Sequence, residues 1–336
     1  MLRIVGDCCF ADGFFDVGCG VGTSVKNGAN PFQYMKEEGN TDYWIGNFEC
    51  VCSNISNKNG VASRQFIIEP AACKYINHLD FYGVANNHVM QHGPDAYGRM
   101  IEYFEKIGVA YAGTKNKRTT IIDHQGKRVS ITVFNQRPEN FAKPPLYWAM
   151  PEYEDIKKEL LDQVCDFRIV YVHWGVEFIN YPYNDQKQFA HFLVDCGFDL
   201  VIGMHPHVMQ GLEVYKEKFI FYSLGNCVFN MPWEPTKYSL MVNVDLETNG
   251  VTYRYLRIGK DCFPKYEKDI PEVYSIEYLN SRLGICEDDE TYFAKAQKAL
   301  REYRKSNKIG LVKNIWKMSF TDFSFMLFDY IKRKLS

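Results

Sequence analysis

The chain has 336 residues, of which 46% are apolar, a length that allows one large domain or two of ordinary size. Lys and Arg number 39 against 41 Asp and Glu, so the composition lacks the positive charge typical of nucleic-acid-binding proteins, and no nucleic-acid partner is expected. Aromatic residues make up 15% of the chain, which indicates a sizeable core.

The start of the chain runs directly into an apolar segment that predicts a first strand. No basic stretch followed by an apolar one marks a secretory signal, and no window holds the roughly 18 uninterrupted apolar residues of a membrane-spanning helix. The 11 cysteines are odd in number and irregular in spacing, which favours reduced thiols over a disulfide framework. These features predict a cytoplasmic protein.

Short β-rich apolar runs alternate with longer helix-like segments along most of the chain. The predicted strands are residues 2–6, 43–46, 81–85, 129–135, 168–173, 200–203, 219–223 and 240–246. The predicted helices are residues 70–79, 94–107, 152–164 and 185–196, with Pro94 at a helix start and Gly108 at its end. Strands that alternate with helices predict a layered α/β fold.

Residues 239–245 and 251–255 flank Asn249 and Gly250, a pair typical of a tight β-hairpin. These two runs are therefore expected to pair antiparallel, which would make the sheet mixed. The pattern weakens near residue 260, so we expect a first domain over 1–260 and a helical extension over 261–336.

The last segment, residues 314–336, is rich in apolar side chains and contains the basic run Lys332, Arg333 and Lys334. One interpretation is a helix packed on the domain, with its charges in solvent. The alternative is an amphipathic helix that lies peripherally on the inner face of a membrane.

Polar residues able to bind metal follow several of the predicted strands. In an open α/β sheet, ligands bind in the crevice beyond the carboxyl ends of the strands, so these residues are expected to converge. They are Asp7, Glu49, Asn87, His88, His173, His205 and His207.

The types of these residues suit a pair of divalent cations. Such a pair needs a bridging carboxylate with neutral nitrogen and oxygen donors on each side. Imidazole suits zinc, iron and manganese, while carboxylate and amide oxygens suit harder cations. Most of these residues alone are commoner as a turn residue or a core histidine, and only His205-Pro206-His207 modestly favours metal binding by itself. It is their conjunction that indicates a metal site.

Six short motifs contain these residues, in the order Gly6-Asp7, Asn47-Phe48-Glu49, Ala85-Asn86-Asn87-His88, His173-Trp174-Gly175-Val176-Glu177, Gly203-Met204-His205-Pro206-His207-Val208 and Tyr222-Ser223-Leu224-Gly225-Asn226. In this order they resemble the series found in the CapA proteins of bacterial capsule and poly-γ-glutamate synthesis. That family is similar to the calcineurin-like metallophosphoesterases, and the resemblance spans residues 6–226, about two thirds of the chain.

The resemblance implies a four-layer α/β/β/α sandwich of two mixed sheets flanked by helices, and two divalent cations of manganese, iron or zinc. It implies these ligands: Asp7 and His207 on one cation, Glu49 bridging both, and Asn87, His173 and His205 on the other. It also implies a general acid, His88, and a pocket wall that includes Glu177, Gln210 and Asn226.

The sequence departs from the family pattern at a few positions. Cys9 stands where phosphoesterases of this type carry a histidine, and either its thiolate binds the first cation or that cation is weakly held. The bridging position holds Glu49, as in the CapA pattern, while Gln91 replaces an aspartate that many members have. The usual N-terminal membrane anchor is not expected in this chain.

Three functions stay open at this point. The favoured one is a metal-dependent hydrolase that cleaves a phosphoester or a γ-glutamyl amide in an envelope polymer or a phosphorylated glycan. The second is a non-catalytic accessory subunit of an envelope polymer synthesis complex. The third, a nucleic-acid phosphoesterase, shares the fold but lacks a basic groove.

Overall fold

A computed structural model describes residues 1–35, 41–161 and 163–335. Within these ranges the chain forms sixteen strands and seven α-helices. The strands are β1 (Leu2–Cys8), β2 (Tyr43–Phe48), β3 (Val51–Cys52), β4 (Ile67–Ile68), β5 (Phe81–Gly83), β6 (Ala110–Ala112), β7 (Thr119–His124), β8 (Lys127–Asn135), β9 (Phe167–His173), β10 (Leu200–Met204), β11 (Leu212–Tyr215), β12 (Lys218–Phe221), β13 (Asn226–Val228), β14 (Tyr238–Asp245), β15 (Gly250–Ile258) and β16 (Pro264–Tyr266). The helices are α1 (Val21–Lys26), α2 (Pro94–Ile107), α3 (Tyr153–Leu161), α4 (Asn184–Cys196), α5 (Ile276–Ser281), α6 (Asp289–Asn314) and α7 (Phe320–Leu335).

The strands form two large mixed sheets and one small one. The first sheet has eight strands in the order β16-β15-β14-β1-β2-β5-β6, with β13 also beside β1. The second has six strands in the order β11-β12-β10-β9-β8-β7, and β3 pairs separately with β4. The central strands β1, β2, β5 and β6 run parallel, as do β8, β9, β10 and β12. Their carboxyl ends can therefore meet at one edge of the molecule.

The two sheets pack face to face and carry helices on their outer faces. Along β9, Tyr171 points between the sheets and its hydroxyl donates to the carbonyl of Val5 on β1. Its neighbour Val172 points the other way, into an apolar cluster that includes Leu193 of α4. This alternation is what a strand buried on both faces produces.

Helix α2 covers the outside of the first sheet. Its Phe104 packs edge-to-face against Phe48, with the ring centroids 5.1 Å apart. The order of layers is thus helix, sheet, sheet, helix, and the predicted four-layer α/β/β/α sandwich is confirmed.

Several local predictions agree with the structure. Each of the eight predicted strands overlaps an observed one, and the hairpin of β14 and β15 pairs Asp245 with Gly250 as expected. Helix α2 begins at Pro94, and Gly108 ends it with φ +71°, a left-handed conformation that glycine adopts without strain.

The predicted helix over residues 70–79 is wrong. This segment forms two separate 3₁₀ turns, Pro70–Ala72 and Ile76–His78. The buried side chains of Cys73, Ile76 and Leu79 recur every third residue, which matches the 3₁₀ period rather than the α-helical one. The helix predicted over residues 152–164 is α3, which is shorter at both ends, and residue 162 lies outside the described residues.

The segment beyond residue 260 contains a strand as well as helices. Strand β16 pairs with β15, so the first sheet continues to Tyr266, and the division at residues 260 and 261 stays a prediction. Helix α6 packs on the domain through Tyr292 and Ala296, which cluster with Tyr181. In the described part of the chain, no helix combines the length and the apolar character that crossing a membrane requires.

Candidate metal centre

The predicted ligands converge where the parallel strands of both sheets end. The register pairs Asp7 of β1 with Asn47 of β2, and Glu49 directly follows the end of β2. In the second sheet, Met204 pairs with His173, the last residue of β9. The structure thereby brings together Asp7, Glu49, Asn87, His173, His205 and His207.

Three overlapping groups of side chains could each hold a cation, with all ligand atoms of a group within 4.8 Å of one another. Glu49 belongs to two of them, and its Oε1 lies 3.7 Å from Nε2 of His173 and 3.7 Å from Nε2 of His207. A carboxylate shared by two groups has the position that a bridging ligand needs. The groups are Asp7, Glu49 and His207; Glu49, His173 and His205; and Glu177, His205 and His207.

Several polar atoms of this cluster are buried without a hydrogen-bond partner among the described residues. They are both oxygens of Glu49, Nδ1 of His173 and both ring nitrogens of His205. Leaving a buried polar group unpaired costs about 1–3 kcal/mol, and more for a charge, so such clusters are rare without a ligand. The donor set of carboxylates and imidazoles therefore fits divalent cations.

The protonation states of the histidines also suit metal binding. Burial lowers the pKa of His207 to about 3 and holds the pKa of His173 and His205 well below the ordinary value. Neutral imidazoles keep the lone pair that a cation requires. Burial raises the pKa of Glu49 well above its ordinary value and that of Asp7 to about 6. A nearby cation would favour the ionised carboxylates.

Neighbouring side chains orient the carboxylate of Asp7. The amide of Asn47 donates to its Oδ1 over 2.7 Å, and the backbone N–H of His205 donates to its Oδ2 over 3.2 Å. His205 and His207 have φ of +96° and +58°, an uncommon conformation that is often found at functional sites. The strained turn holds both imidazoles at the end of β10.

Two residues predicted for the pocket wall contact a candidate ligand or the loop beside it, and their place in the wall stays a prediction. Nδ1 of His207 donates to Oδ1 of Asn226 over 2.9 Å. The lone pair of the ring is therefore on Nε2, the nitrogen that faces Glu49. The amide of Gln210 donates to the carbonyls of Ile179 and Tyr181 and so holds the loop that follows β9.

His88 lies beside the cluster and is held on two sides. Its Nδ1 donates to Oε1 of Gln91 over 2.8 Å, and its ring stacks on Phe66. Burial lowers the pKa of His88 to about 4, although the contact with Gln91 partly opposes this shift. The ring is therefore neutral at pH 7, with its proton on Nδ1.

Cys9 belongs to none of the three groups in the described part of the chain. Its thiol donates to the carbonyl of Ala11 over 3.6 Å, and burial raises the pKa of Cys9 well above its ordinary value. A protonated thiol is a poor ligand, so binding by Cys9 would require the cation to displace this proton. Ligation by Cys9 stays a prediction.

Arg137, which the sequence analysis did not single out, faces the same site. It follows β8 and donates from Nη1 to the carbonyl of Gly175 over 2.9 Å. Its charge lowers the pKa of His173 and His205 and partly offsets the effect of burial on Glu177. Its signal in the sequence was a position two residues after a strand, but Arg137 belongs to none of the six family motifs.

Helix α6 also reaches the centre from the far end of the sequence. Tyr303 stacks on Phe178 with the ring centroids 4.4 Å apart, and the N–H of Phe178 donates to the carbonyl of Pro206. Burial raises the pKa of Glu177, the residue just before Phe178, and the charge of Arg304 partly opposes this shift. The helix therefore supports the loop and the turn that carry Glu177, His205 and His207.

Comparison with known proteins identifies the family to which the chain belongs. The chain is similar in fold to a solved phosphatase from Mycoplasma pneumoniae, at 13% identity and a TM-score of 0.49, over 76% of this chain and 92% of that one. It is 31% identical over 240 residues to the capsule biosynthesis protein CapA of Bacillus anthracis, which is 65% of this chain and 57% of that protein. It is 29% identical over 243 residues to the PGA biosynthesis protein CapA of Bacillus subtilis, or 68% and 64% of the two chains. The chain spans less than two thirds of the length of these relatives. Because the model of the bacterial capsule synthesis protein family PGA_cap matches residues 1–231, the chain belongs to that family.

Proposed function

We propose that this chain is a metal-dependent hydrolase that uses two divalent cations, of manganese, iron or zinc, to cleave a bond in an anionic envelope polymer. The observation that carries the proposal is the buried cluster around Glu49, with its unpaired carboxylate and imidazole atoms. The relatives named for capsule and PGA biosynthesis suggest the class of polymer. The bond is a phosphoester or a γ-glutamyl amide.

The ligands divide into two sets that share Glu49. Asp7 and His207 would complete the first, and His173, His205 and Asn87 the second; Oδ1 of Asn87 lies 2.8 Å from Nε2 of His173. When bound, the cations would supply Lewis acidity and a water molecule of lowered pKa.

Two residues of the chain act on the substrate itself. His88 is fixed by Gln91 and Phe66. Because its own proton is on Nδ1 and bonded to Gln91, the ring first accepts a proton on Nε2 from the attacking water and then passes it to the departing oxygen or nitrogen of the substrate. Arg137 attracts the anionic group of the polymer and orients it beside the cluster, as its guanidinium carries the charge that such groups pair with.

The first test is the metal content of the purified, chelator-treated and reloaded protein, measured by elemental analysis. We expect about two equivalents of metal in the wild type and a loss of metal and turnover in Glu49→Ala. The exposed Glu102→Ala serves as the matched control and should keep both. His88→Ala should keep its metal but lose turnover of chromogenic phosphoesters or of γ-glutamyl p-nitroanilide. Absence of metal in the wild type after reloading would refute the proposal.

A non-catalytic accessory subunit of a polymer synthesis complex is the second candidate. The observation in its favour is Cys9, whose thiol bonds to Ala11 at the position where related phosphoesterases carry a histidine ligand. A protein that binds the polymer with unchanged affinity after Glu49→Ala, and that turns over no substrate, would support this function.

A further inference from the structure

Helix α7 carries an apolar stripe on the side that faces away from the domain. Phe320, Phe328 and Ile331 follow the spacing i, i+8 and i+11, which places them on one face of a helix. Phe320 is 85% exposed and Phe328 is 69% exposed. We call this set the outer stripe.

The opposite side of α7 is attached to the domain by polar contacts. Asp322 is buried and forms an ion pair with Arg64, and the hydroxyl of Ser319 donates to its Oδ2 over 2.7 Å. These contacts determine which way the helix faces. The outer side of α7 is therefore apolar, whereas the outer side of a usual surface helix is polar.

The exposed apolar surface continues into the turn before α7. Trp316 is 75% exposed, and the neighbouring Lys313 and Lys317 are exposed as well. Residues 313–336 contain five Lys or Arg and two Asp, although the whole chain has a formal net charge of −2. Exposed aromatic and basic residues together are typical of helices that lie at the surface of an anionic membrane.

The space beneath α7 is also lined by hydrocarbon. A cavity of about 280 Å³ lies between this helix and the N-terminal loops, bordered by Phe14, Phe15, Ile315, Met318 and Met326. Such a lining offers dispersion contacts to an acyl chain and little to a polar ligand.

We propose that the outer stripe of α7, together with Trp316, binds the surface of an anionic lipid bilayer. The aromatic side chains enter the boundary between headgroups and acyl chains, while Lys313 and Lys317 contact the anionic headgroups. The positive charge of the segment favours this occupant over a second copy of the chain, since two copies would bring like charges together. The contact is interfacial and independent of the proposed hydrolysis.

The test measures co-sedimentation of the full chain with vesicles of phosphatidylcholine, with and without about a third of phosphatidylglycerol. We expect binding to the anionic vesicles and a drop of at least about tenfold in Phe320→Ser/Phe328→Ser. The matched control is Leu161→Ser/Val164→Ser, since Leu161 is 80% exposed and Val164 75% exposed on another side of the molecule. This control should bind like the wild type.

A second pair of substitutions, Lys313→Glu/Lys317→Glu, leaves the apolar stripe intact and should abolish the preference for phosphatidylglycerol. Thermal melting of every variant verifies that it is folded. Wild-type protein that binds neither kind of vesicle overturns the proposal. Equal vesicle binding by Phe320→Ser/Phe328→Ser and by the control Leu161→Ser/Val164→Ser overturns it as well. A concentration-dependent dimer that Phe320→Ser/Phe328→Ser abolishes, in a protein that ignores vesicles, would assign the stripe to a second copy instead.

Discussion

The ring of Phe66 lies flat against the ring of His88, with centroids 4.1 Å apart and planes inclined by 8°. The backbone of Phe66 is itself held in place, since its N–H donates to Asp12 and its carbonyl accepts from Val51. With Gln91 bonded to Nδ1, the imidazole is fixed from two directions. For the proposed general acid, such positioning reduces the reorganisation needed to reach a reactive geometry.

Replacing Phe66 should reduce turnover without removing metal. We expect Phe66→Leu to lower kcat by about tenfold, because the imidazole gains freedom, while the metal content stays as in the wild type. Phe10→Leu is the control, since Phe10 is buried in the same core and stacks on Phe48 rather than on His88. Both substitutions should cost about 1–2 kcal/mol of stability. Equal kcat values in the two variants would contradict a positioning role for Phe66.

Arg137 should contribute to the binding of anions and not to the binding of metal. We expect Arg137→Gln to weaken inhibition by inorganic phosphate by about tenfold, as the site loses a charge-assisted hydrogen bond. Metal content measured on the same samples should be unchanged. Arg99→Gln, on the exposed face of α2, is the control. Phosphate inhibition that is as strong in Arg137→Gln as in the control would show that this guanidinium does not face the substrate.

Tyr303 should link the stability of α6 to the affinity for metal. Tyr303→Ala removes the stack on Phe178 and is expected to weaken metal binding by about tenfold, through the turn that carries His205 and His207. Tyr303→Phe keeps the stack and should restore wild-type affinity. Competition with a chromogenic chelator measures both. Identical affinities in the two variants would mean that the helix covers the centre without supporting it.

The sequence allowed prediction of those features that local patterns encode. Strand ends, the Asn249-Gly250 hairpin and the limits of α2 depend on turn chemistry and on periodicity within a few residues. The candidate metal ligands were recognisable because each lies at the end of a strand or within a few residues after it.

The features that were missed depend on contacts between distant parts of the chain. Tyr303 and Phe178 are 125 positions apart in the sequence, and no local pattern predicts that their rings stack. Arg137 lacks a motif of its own, and Phe66 reaches His88 from a loop. Between residues 70 and 79 the apolar residues recur every three positions. In so short a segment this spacing fits a 3₁₀ helix and an α-helix equally well, so the sequence could not distinguish them.

Gly6 and Gly98 provide a contrast between a glycine that the fold requires and one that it does not. A Cβ on Gly6 would lie 1.9 Å from the carbonyl oxygen of Gly225, so β13 could no longer approach β1 beside Asp7. We expect Gly6→Ala to cost at least about 3 kcal/mol or to prevent folding. A Cβ on Gly98, within α2, meets nothing within 4 Å, and Gly98→Ala should stabilise the protein by about 1 kcal/mol. Denaturant unfolding measures both, and a tolerated Gly6→Ala would contradict the close approach of β13.

Asp16 should make the stability of the protein depend on pH. Burial, reinforced by the charge of Asp12, raises the pKa of Asp16 from 3.8 to about 7 in the folded state. The folded protein therefore binds the proton more tightly than the unfolded chain does. Stability is highest while Asp16 is protonated and falls as the pH rises from about 4 to about 7.

Asp16→Asn removes this dependence, because the amide is neutral throughout and can still accept from the N–H of Gly13. We expect wild type and variant to be equally stable near pH 4, and the variant to be more stable above about pH 7 by about 4 kcal/mol. Urea unfolding of the metal-free wild type and variant measures this difference in stability. Asp7 and Glu49 titrate in both proteins, so their contributions cancel when the two are compared. The exposed Asp123→Asn is the control and should follow the wild type at every pH. A constant difference between Asp16→Asn and wild type across this range would show that the carboxyl of Asp16 keeps an ordinary pKa in the folded protein.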